Sequence, residues 1–177
     1  MEFFKTIKTR KSTRSYKPEQ ITNEELNKVL LAANAAPVGN GLYEDVHLTV
    51  VQNTELLSKM VKSTAEISNK PDANPFYGAP TVVIVSCRLR DPAKVSSTYA
   101  NAACIIENMH LAATDIGLGS VYLLGFIRAG AINESLKKEL EIPEDFNPVS
   151  AITLGYPTEE LVEREIPADR ISINYIK

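Results

Sequence analysis

The sequence predicts an α/β or α+β protein built around one β-sheet. Two observations lead to this class: short runs of β-branched and apolar residues, typical of strands, alternate along the chain with longer segments whose apolar residues repeat at helical spacing. The chain has 177 residues, of which 44% are hydrophobic and 23% are charged. Since no internal repeat or linker interrupts it, we expect a single domain over residues 1–177.

Five segments are predicted as strands. Residues 81–87 are apolar on both faces, which is typical of a central strand. The tail alternates Ile171, Ile173 and Tyr175 with polar residues, which is the period of a strand. The other predicted strands are residues 46–51, 121–123 and 149–154.

Helices are predicted from apolar spacing and from capping residues. Thr22 and Glu25 match a capping box before a helix that ends near Asn34, and Asn133 is expected to cap a later helix. The remaining assignments are a short helix at residues 3–7 that packs and holds the residues after it, a helix at 56–61 and a long loop at 66–80.

The segment 99–116 predicts a helix that is apolar around almost its whole circumference. Such a helix is buried either in a large core or at a subunit interface, and for a chain of this size we favour the interface. Gly117 predicts the end of this helix.

The charge is unevenly distributed. The net charge of −3 argues against a generic nucleic-acid binder. Residues 3–18 nevertheless contain six basic side chains and no acid, including Arg10, Lys11 and Arg14 around Ser12. This cluster is either a solvated N-terminal arm or an anion site, because arginine beside a hydroxyl suits a phosphate.

The two cysteines indicate the compartment. Cys87 and Cys104 lie in apolar surroundings without CxxC spacing, so we expect buried thiols in a reducing, cytoplasmic environment. The first residues do not resemble a signal peptide, and the longest strongly apolar run, residues 82–85, is too short to span a bilayer. We expect neither a membrane nor a nucleic acid as a partner.

The side chains alone offer little catalytic chemistry. His47 in a predicted strand and His110 on the apolar helix are expected to be structural, because no nucleophile motif accompanies them. There is no metal-ligand spacing, no P-loop and no GxGxxG after a first strand, so we expect no metal site. This pattern fits a protein whose cofactor performs the difficult step.

Several short motifs follow one another in a definite order. They are Arg-Lys-Ser-Thr-Arg-Ser-Tyr at 10–16, Ala-Ala-Pro at 35–37, Gly-Ala-Pro at 78–80, Gly-Leu-Gly-Ser at 117–120 and Leu-Gly-Tyr-Pro at 154–157. Together they resemble the FMN-dependent nitroreductase family over nearly the whole chain, as a compact member. The Gln-Pro-Trp that many members carry after the Ala-Pro is missing from residues 40–46.

The resemblance implies an α+β homodimer with FMN at the subunit interface. The sheet would be central, mixed and mainly antiparallel, flanked by helices, with C-terminal arms swapped between subunits. Arg10 would pair with the FMN phosphate, Ser12 with phosphate or ribityl oxygens, and Lys11 would contribute through its backbone. Arg14 would approach the N1–C2=O edge of the flavin, and Arg164 would be the second phosphate ligand.

Three further segments correspond to family positions around the flavin ring. The loop beside the dimethylbenzene ring and N5 corresponds to Leu123, Leu124 and Gly125. The segment supplied by the partner subunit corresponds to Pro37, Val38 and Gly39. In the loop 66–80, Asn74 is the predicted cofactor contact.

The implied function is an FMN-dependent oxidoreductase. It would move electrons from NAD(P)H through the flavin to a nitroaromatic, a quinone or a similar small acceptor, in a ping-pong sequence. Because flavin N5 would carry the chemistry, no side chain is assigned as catalytic. The altered segment 40–46 leaves open a flavin-binding or sensing protein without NAD(P)H turnover. A third possibility is a relative that shares only the fold and has an empty site.

Overall fold

In the computed structural model, which describes residues 2–177, four strands form an antiparallel sheet. They are β1 (Val46–Val51), β2 (Thr81–Arg88), β3 (Gly119–Leu123) and β4 (Phe146–Gly155). The spatial order is β1-β2-β4-β3, and every residue of β2 before Arg88 is buried. The prediction that residues 81–87 form a central strand is therefore confirmed.

Helices flank the sheet. They are α1 (Phe3–Thr9), α2 (Asn23–Asn34), α3 (Thr54–Ser68), α4 (Val95–Asp115), α5 (Gly125–Arg128) and α6 (Glu134–Glu139). The predicted capping box begins α2: Glu25 N donates to Thr22 Oγ1 at 3.2 Å, and Thr22 N donates to the Glu25 carboxylate at 2.8 Å. Asn133 caps α6 by accepting from Leu136 N at 2.9 Å.

The sheet separates two apolar layers. On one face α2 and α4 cover Val83 and Val85, and on the other face α3, α5 and α6 cover Val82 and Ile84. Because successive strand residues point to opposite faces, β2 contributes to both layers. None of the helices within residues 2–177 has the length and hydropathy that crossing a bilayer requires.

The tail does not form the predicted strand. Ile171, Ile173 and Tyr175 are 77%, 64% and 74% exposed, and no described residue after Pro157 pairs with the sheet. Alternation determines which face a strand would bury, but it does not supply the backbone partner that a strand needs. The predicted long loop also differs, since α3 continues to Ser68.

Two predictions of buried side chains are wrong within the single chain: the apolar side chains of the first helix and Cys104. Phe3 and Phe4 are 65% and 73% exposed, and α1 instead buries Thr6, whose hydroxyl donates to the Asp115 carboxylate at 3.3 Å. Cys87 is buried as expected, but Cys104 is exposed. Cys104 lies on the face of α4 that points away from the sheet, where its side chain is exposed. The opposite face of α4 packs in the core against the sheet.

Candidate functional site

The residues of the first motif, 10–16, are called the basic segment here, and they lie along the outer edge of β3. Thr13 N donates to Ser120 O at 2.9 Å, and Ser12 forms a parallel bridge with Ser120. At the far end, Tyr16 forms an antiparallel bridge with Pro157. The basic segment is therefore an extended chain held by the sheet, and it is not a solvated arm.

Two glycines allow this close approach. Gly119 and Gly155 are opposite each other in the β3–β4 register. A Cβ on Gly119 would lie 2.7 Å from Thr13 Cγ2, and a Cβ on Gly155 would lie 2.9 Å from Tyr16 Cδ1. Since real Cβ atoms do not approach so closely, glycine at both positions makes room for the basic segment.

Tyr16 anchors the end of the basic segment in the core. Its hydroxyl donates to Thr13 O at 2.9 Å and shares a hydrogen bond of 2.6 Å with the Thr153 hydroxyl. Burial raises the pKa of Tyr16 well above its usual value, so the phenol stays neutral and keeps both bonds.

A cleft of about 280 Å³ lies between the basic segment and the chain that follows β4. Residues 11–15 form one wall and residues 157–159 the other. Lys11 Nζ is 3.3 Å from a Glu159 carboxylate oxygen, and the Arg14 guanidinium lies 5.9 Å from the centre of the Tyr77 ring. The cleft thus presents backbone, hydroxyl and cationic groups of the kind that bind a phosphorylated ligand.

Arg164, from the C-terminal part of the chain, lies against the residues that precede the basic segment. Its backbone N donates to Lys8 O at 3.2 Å, just before the basic segment. Its Nε is buried and has no hydrogen-bond partner within residues 2–177. Arg10 Nε is 4.0 Å from the Glu107 carboxylate, whose side chain is half exposed. A buried donor without an acceptor is destabilising, so a bound anion suits this position.

Other unpartnered polar atoms surround the basic segment. Among the described residues, Thr9 Oγ1, Thr13 Oγ1 and His110 Nε2 are also buried without a hydrogen-bond partner. His110 Nδ1 is hydrogen-bonded to the Ser120 hydroxyl. Burial, reinforced by the charge of Arg10, lowers the pKa of His110 to about 4, so the ring is neutral at pH 7. The donor set and its unmet hydrogen-bonding capacity fit the phosphate end of a nucleotide cofactor.

The residues expected around the flavin ring do not line this cleft within one chain. Leu123 is buried at the end of β3, Leu124 is half-buried, and Gly125 begins α5. These three residues nevertheless lie at the end of β3 or directly after it, and β3 is the strand beside which the basic segment runs. The segment Pro37, Val38 and Gly39 follows α2 instead, where Gly39 N donates to Asn101 Oδ1 of α4 at 3.0 Å.

The loop before β2 meets the basic segment through Tyr77. Asn74 lies in a separate groove beside α3, and its Oδ1 accepts from Phe76 N at 3.0 Å. Phe76 packs edge-on against Phe126 of α5 at 5.2 Å. Tyr77 has a φ of 55°, which turns the chain and places the ring beside Arg14. Gly78 before Ala-Pro was the available signal for this turn, because glycine readily adopts positive φ and Gly78 has a φ of 80°.

No group of three or more His, Cys, Asp and Glu side chains within residues 2–177 is arranged to hold a metal ion. The groups at the cleft are cationic side chains, hydroxyls, backbone donors and the carboxylate of Glu159, which pairs with Lys11.

Comparisons with known proteins place the chain in a family. The model of the Nitroreductase family matches residues 7–156. A protein of Archaeoglobus fulgidus named "Putative NADH dehydrogenase/NAD(P)H nitroreductase" is 34% identical over 163 residues, covering 90% of this chain and 87% of that protein.

Solved structures of nitroreductases share the fold of this chain. A Bacteroides fragilis nitroreductase with bound FMN is 30% identical, with a TM-score of 0.83, covering 99% of this chain and 100% of that one. A Desulfitobacterium hafniense nitroreductase with bound FMN is 24% identical, with a TM-score of 0.85 and full coverage of both chains, and it shares the fold. The predicted α+β class is thereby confirmed, and the chain belongs to the nitroreductase family.

Proposed function

We propose that the protein is an FMN-dependent oxidoreductase that moves electrons from NAD(P)H to a small acceptor such as a nitroaromatic or a quinone. The names of the Archaeoglobus and Bacteroides relatives support NAD(P)H and FMN. The observation that carries the proposal is the meeting of the two chain ends. Arg164, with a buried and unpartnered Nε, lies against the start of the basic segment.

The chain's own residues would hold the cofactor at its phosphate and at one ring edge. Arg10 and Arg164 would pair with the phosphate, Ser12 would donate to phosphate or ribityl oxygens, and Lys11 would contribute through its backbone. Arg14 would place a positive charge at the N1–C2=O edge, where it favours added electron density. Bound FMN supplies two-electron chemistry that no side chain here offers.

The ring would be enclosed by segments from two subunits in a single-domain homodimer of residues 1–177. Leu123, Leu124 and Gly125 would come from one subunit, while Pro37, Val38 and Gly39 would come from the partner. Exposed apolar surface supports the dimer: Tyr99 on α4 is 45% exposed, and Ile176 in the tail is 93% exposed. Both cysteines are free thiols, which fits a cytoplasmic location.

The test begins with the purified protein. We expect a yellow protein that releases FMN, and not FAD, on denaturation, and that oxidises NADH or NADPH when a quinone or a nitroaromatic is added. Colourless protein that does not take up added FMN would contradict the cofactor assignment. Protein that carries FMN but oxidises neither nicotinamide would contradict the enzyme and support the flavin-binding alternative that residues 40–46 raise.

A further inference from the structure

We propose that His110 is a positioning residue for the phosphate end of the FMN site, and that it acts through Ser120 on the basic segment. The proposal rests on the FMN-dependent function proposed above. His110 is remote in sequence from the basic segment and lies on α4, whereas the segment lies along the edge of β3.

The first link joins His110 to Ser120. The two residues are 2% and 1% exposed, and His110 Nδ1 is hydrogen-bonded to the Ser120 hydroxyl. Water cannot easily replace either partner at such depth, so loss of one leaves the other unpaired. The bond therefore fixes Ser120 relative to α4.

The second link joins Ser120 to the basic segment through the backbone. Thr13 N donates to Ser120 O at 2.9 Å, and Ser12 and Ser120 form a parallel bridge. The residue of β3 whose side chain His110 holds is thus the same residue whose backbone holds the segment. A shift of Ser120 would move Ser12 and the flanking Arg10 and Arg14 together.

The third link is the state of the imidazole. Burial, reinforced by the positive charge of Arg10, lowers the pKa of His110, so the ring is neutral at pH 7. A neutral ring can hydrogen-bond to Ser120 without adding a second charge beside Arg10. Nε2 remains buried without a partner among the described residues, which is unfavourable. The bond from Nδ1 to the Ser120 hydroxyl is the contact that the ring gains in return.

The test compares four single variants and the double variant that combines His110→Leu with Ser120→Ala. His110→Leu removes the hydrogen bond, His110→Asn keeps a polar group near the position of Nδ1, and Ser120→Ala removes the partner. Thr114→Val is the matched control, because Thr114 is 2% exposed on the same helix and its hydroxyl donates only locally, to His110 O at 2.9 Å. Circular dichroism establishes that each variant is folded.

Two measurements are made on folded protein. The FMN dissociation constant comes from titration of flavin-free protein, followed by flavin fluorescence. Amide exchange at Thr13 in the flavin-free protein reports directly on the bond to Ser120. We expect His110→Leu and Ser120→Ala each to weaken FMN binding and to speed Thr13 exchange about tenfold or more, with the double variant no worse than either single one.

The other variants complete the test. We expect His110→Asn to recover most of the affinity and Thr114→Val to behave as wild type. Wild-type FMN affinity in folded His110→Leu or Ser120→Ala would overturn the proposal, as would an equal loss in Thr114→Val. If His110→Leu does not fold, Ser120→Ala and His110→Asn decide. If wild-type protein binds no FMN, the proposed function fails, while Thr13 exchange still shows whether His110 holds the segment.

Discussion

The basic segment and the C-terminal tail both lie outside the helices and strands β1–β4, yet they end up in opposite environments. In the basic segment Thr13 and Tyr16 are buried, and backbone bonds tie the segment to β3 and to the chain after β4. In the tail every residue from 165 to 177 is exposed. A segment outside the regular elements is therefore fixed by the sheet edge that receives it, and its own pattern of side chains is not sufficient.

The basic segment has such an edge because of particular residues on its neighbours. Gly119 and Gly155 make room for it, and Ser120 accepts its backbone N–H. Among residues 2–177, the contacts that hold the tail lie just before it: an ion pair of 3.8 Å between Lys5 and Glu163 and the bond from Arg164 N to Lys8 O. Beyond these contacts its isoleucines face solvent, which is unfavourable unless a second subunit covers them.

The largest expected effect is from removing the tail. Deletion of residues 170–177 should yield a monomer with little bound FMN, because an obligate interface normally buries more than about 2,000 Å² and here would include these side chains. Light scattering and flavin content measure the result. The paired substitution Ser172→Ala with Asn174→Ala is the control, since it spares the apolar positions. A truncated protein that stays dimeric and loaded with FMN would show that the tail is dispensable.

The next largest effect concerns how the free energy of unfolding depends on pH through His110, which is hydrogen-bonded to Ser120 beneath the basic segment. Folding lowers the pKa of His110 from 6.5 to about 4, so between these pH values the unfolded state binds a proton that the folded state does not. Above pH 6.5 this difference does not reduce the free energy of unfolding. As the pH falls from 6.5 towards 4, the free energy of unfolding decreases by up to about 3 kcal/mol. Urea unfolding of wild type and His110→Leu at several pH values measures it. Carboxylates contribute equally to both proteins, so parallel curves would contradict the prediction.

A substitution under the basic segment should have a somewhat smaller effect. Gly119→Ala places a Cβ 2.7 Å from Thr13 Cγ2, and relieving that contact should cost about 2 kcal/mol of unfolding free energy. FMN affinity should fall as well, because the segment must shift. Gly125→Ala is the control for the stability measurement alone, since its Cβ meets no atom within 4 Å. Wild-type stability in Gly119→Ala would mean that the segment does not depend on this close approach.

A substitution within the basic segment should affect the ligand and leave the fold intact. Arg10→Ala should weaken FMN binding by about 1.5–3 kcal/mol, the usual contribution of a hydrogen bond to a charged group. Its pair with Glu107, at 4.0 Å, is too exposed to matter much for stability. Titration with FMN and thermal unfolding separate the two effects. Lys138→Ala, an exposed cation on α6, should bind FMN as wild type does.

The smallest effect is expected at the beginning of the tail. The side chains of Lys5 and Glu163 are 54% and 48% exposed and 3.8 Å apart, so Glu163→Gln should change the unfolding free energy by less than about 0.5 kcal/mol. Denaturant unfolding at low and high salt measures it. A loss above about 1 kcal/mol would show that this pair fixes the tail more firmly than its exposure indicates.

Features that depend on neighbours in sequence could be predicted well. Residues 46–51 form β1 as predicted, and Thr22 and Glu25 form the capping box. Gly117 ends α4 with a φ of 83°, and Leu118 N donates to Ala113 O at 2.8 Å. These features require only the local backbone and a few adjacent side chains, so the sequence contains the necessary information.

The motifs also determined the family, because their order along the chain is itself a property of the sequence. The spatial role of each motif was harder to predict from the sequence. Gly119 appeared only as part of a Gly-Leu-Gly-Ser run, and its close approach to Thr13 depends on the chain that lies across it. Tyr77 was missed beside Asn74, because only the folded loop shows which side chain reaches Arg14.

The sequence by itself therefore determined the secondary structure of the core, the basic cluster and the family. Only the tertiary structure brought Arg164 to the basic segment, joined His110 to Ser120, and left Cys104 and the tail uncovered. The physical reason is distance along the chain. Caps and apolar periods depend on short-range contacts, whereas a shared edge, a buried pair or an open face depends on residues that folding alone brings together.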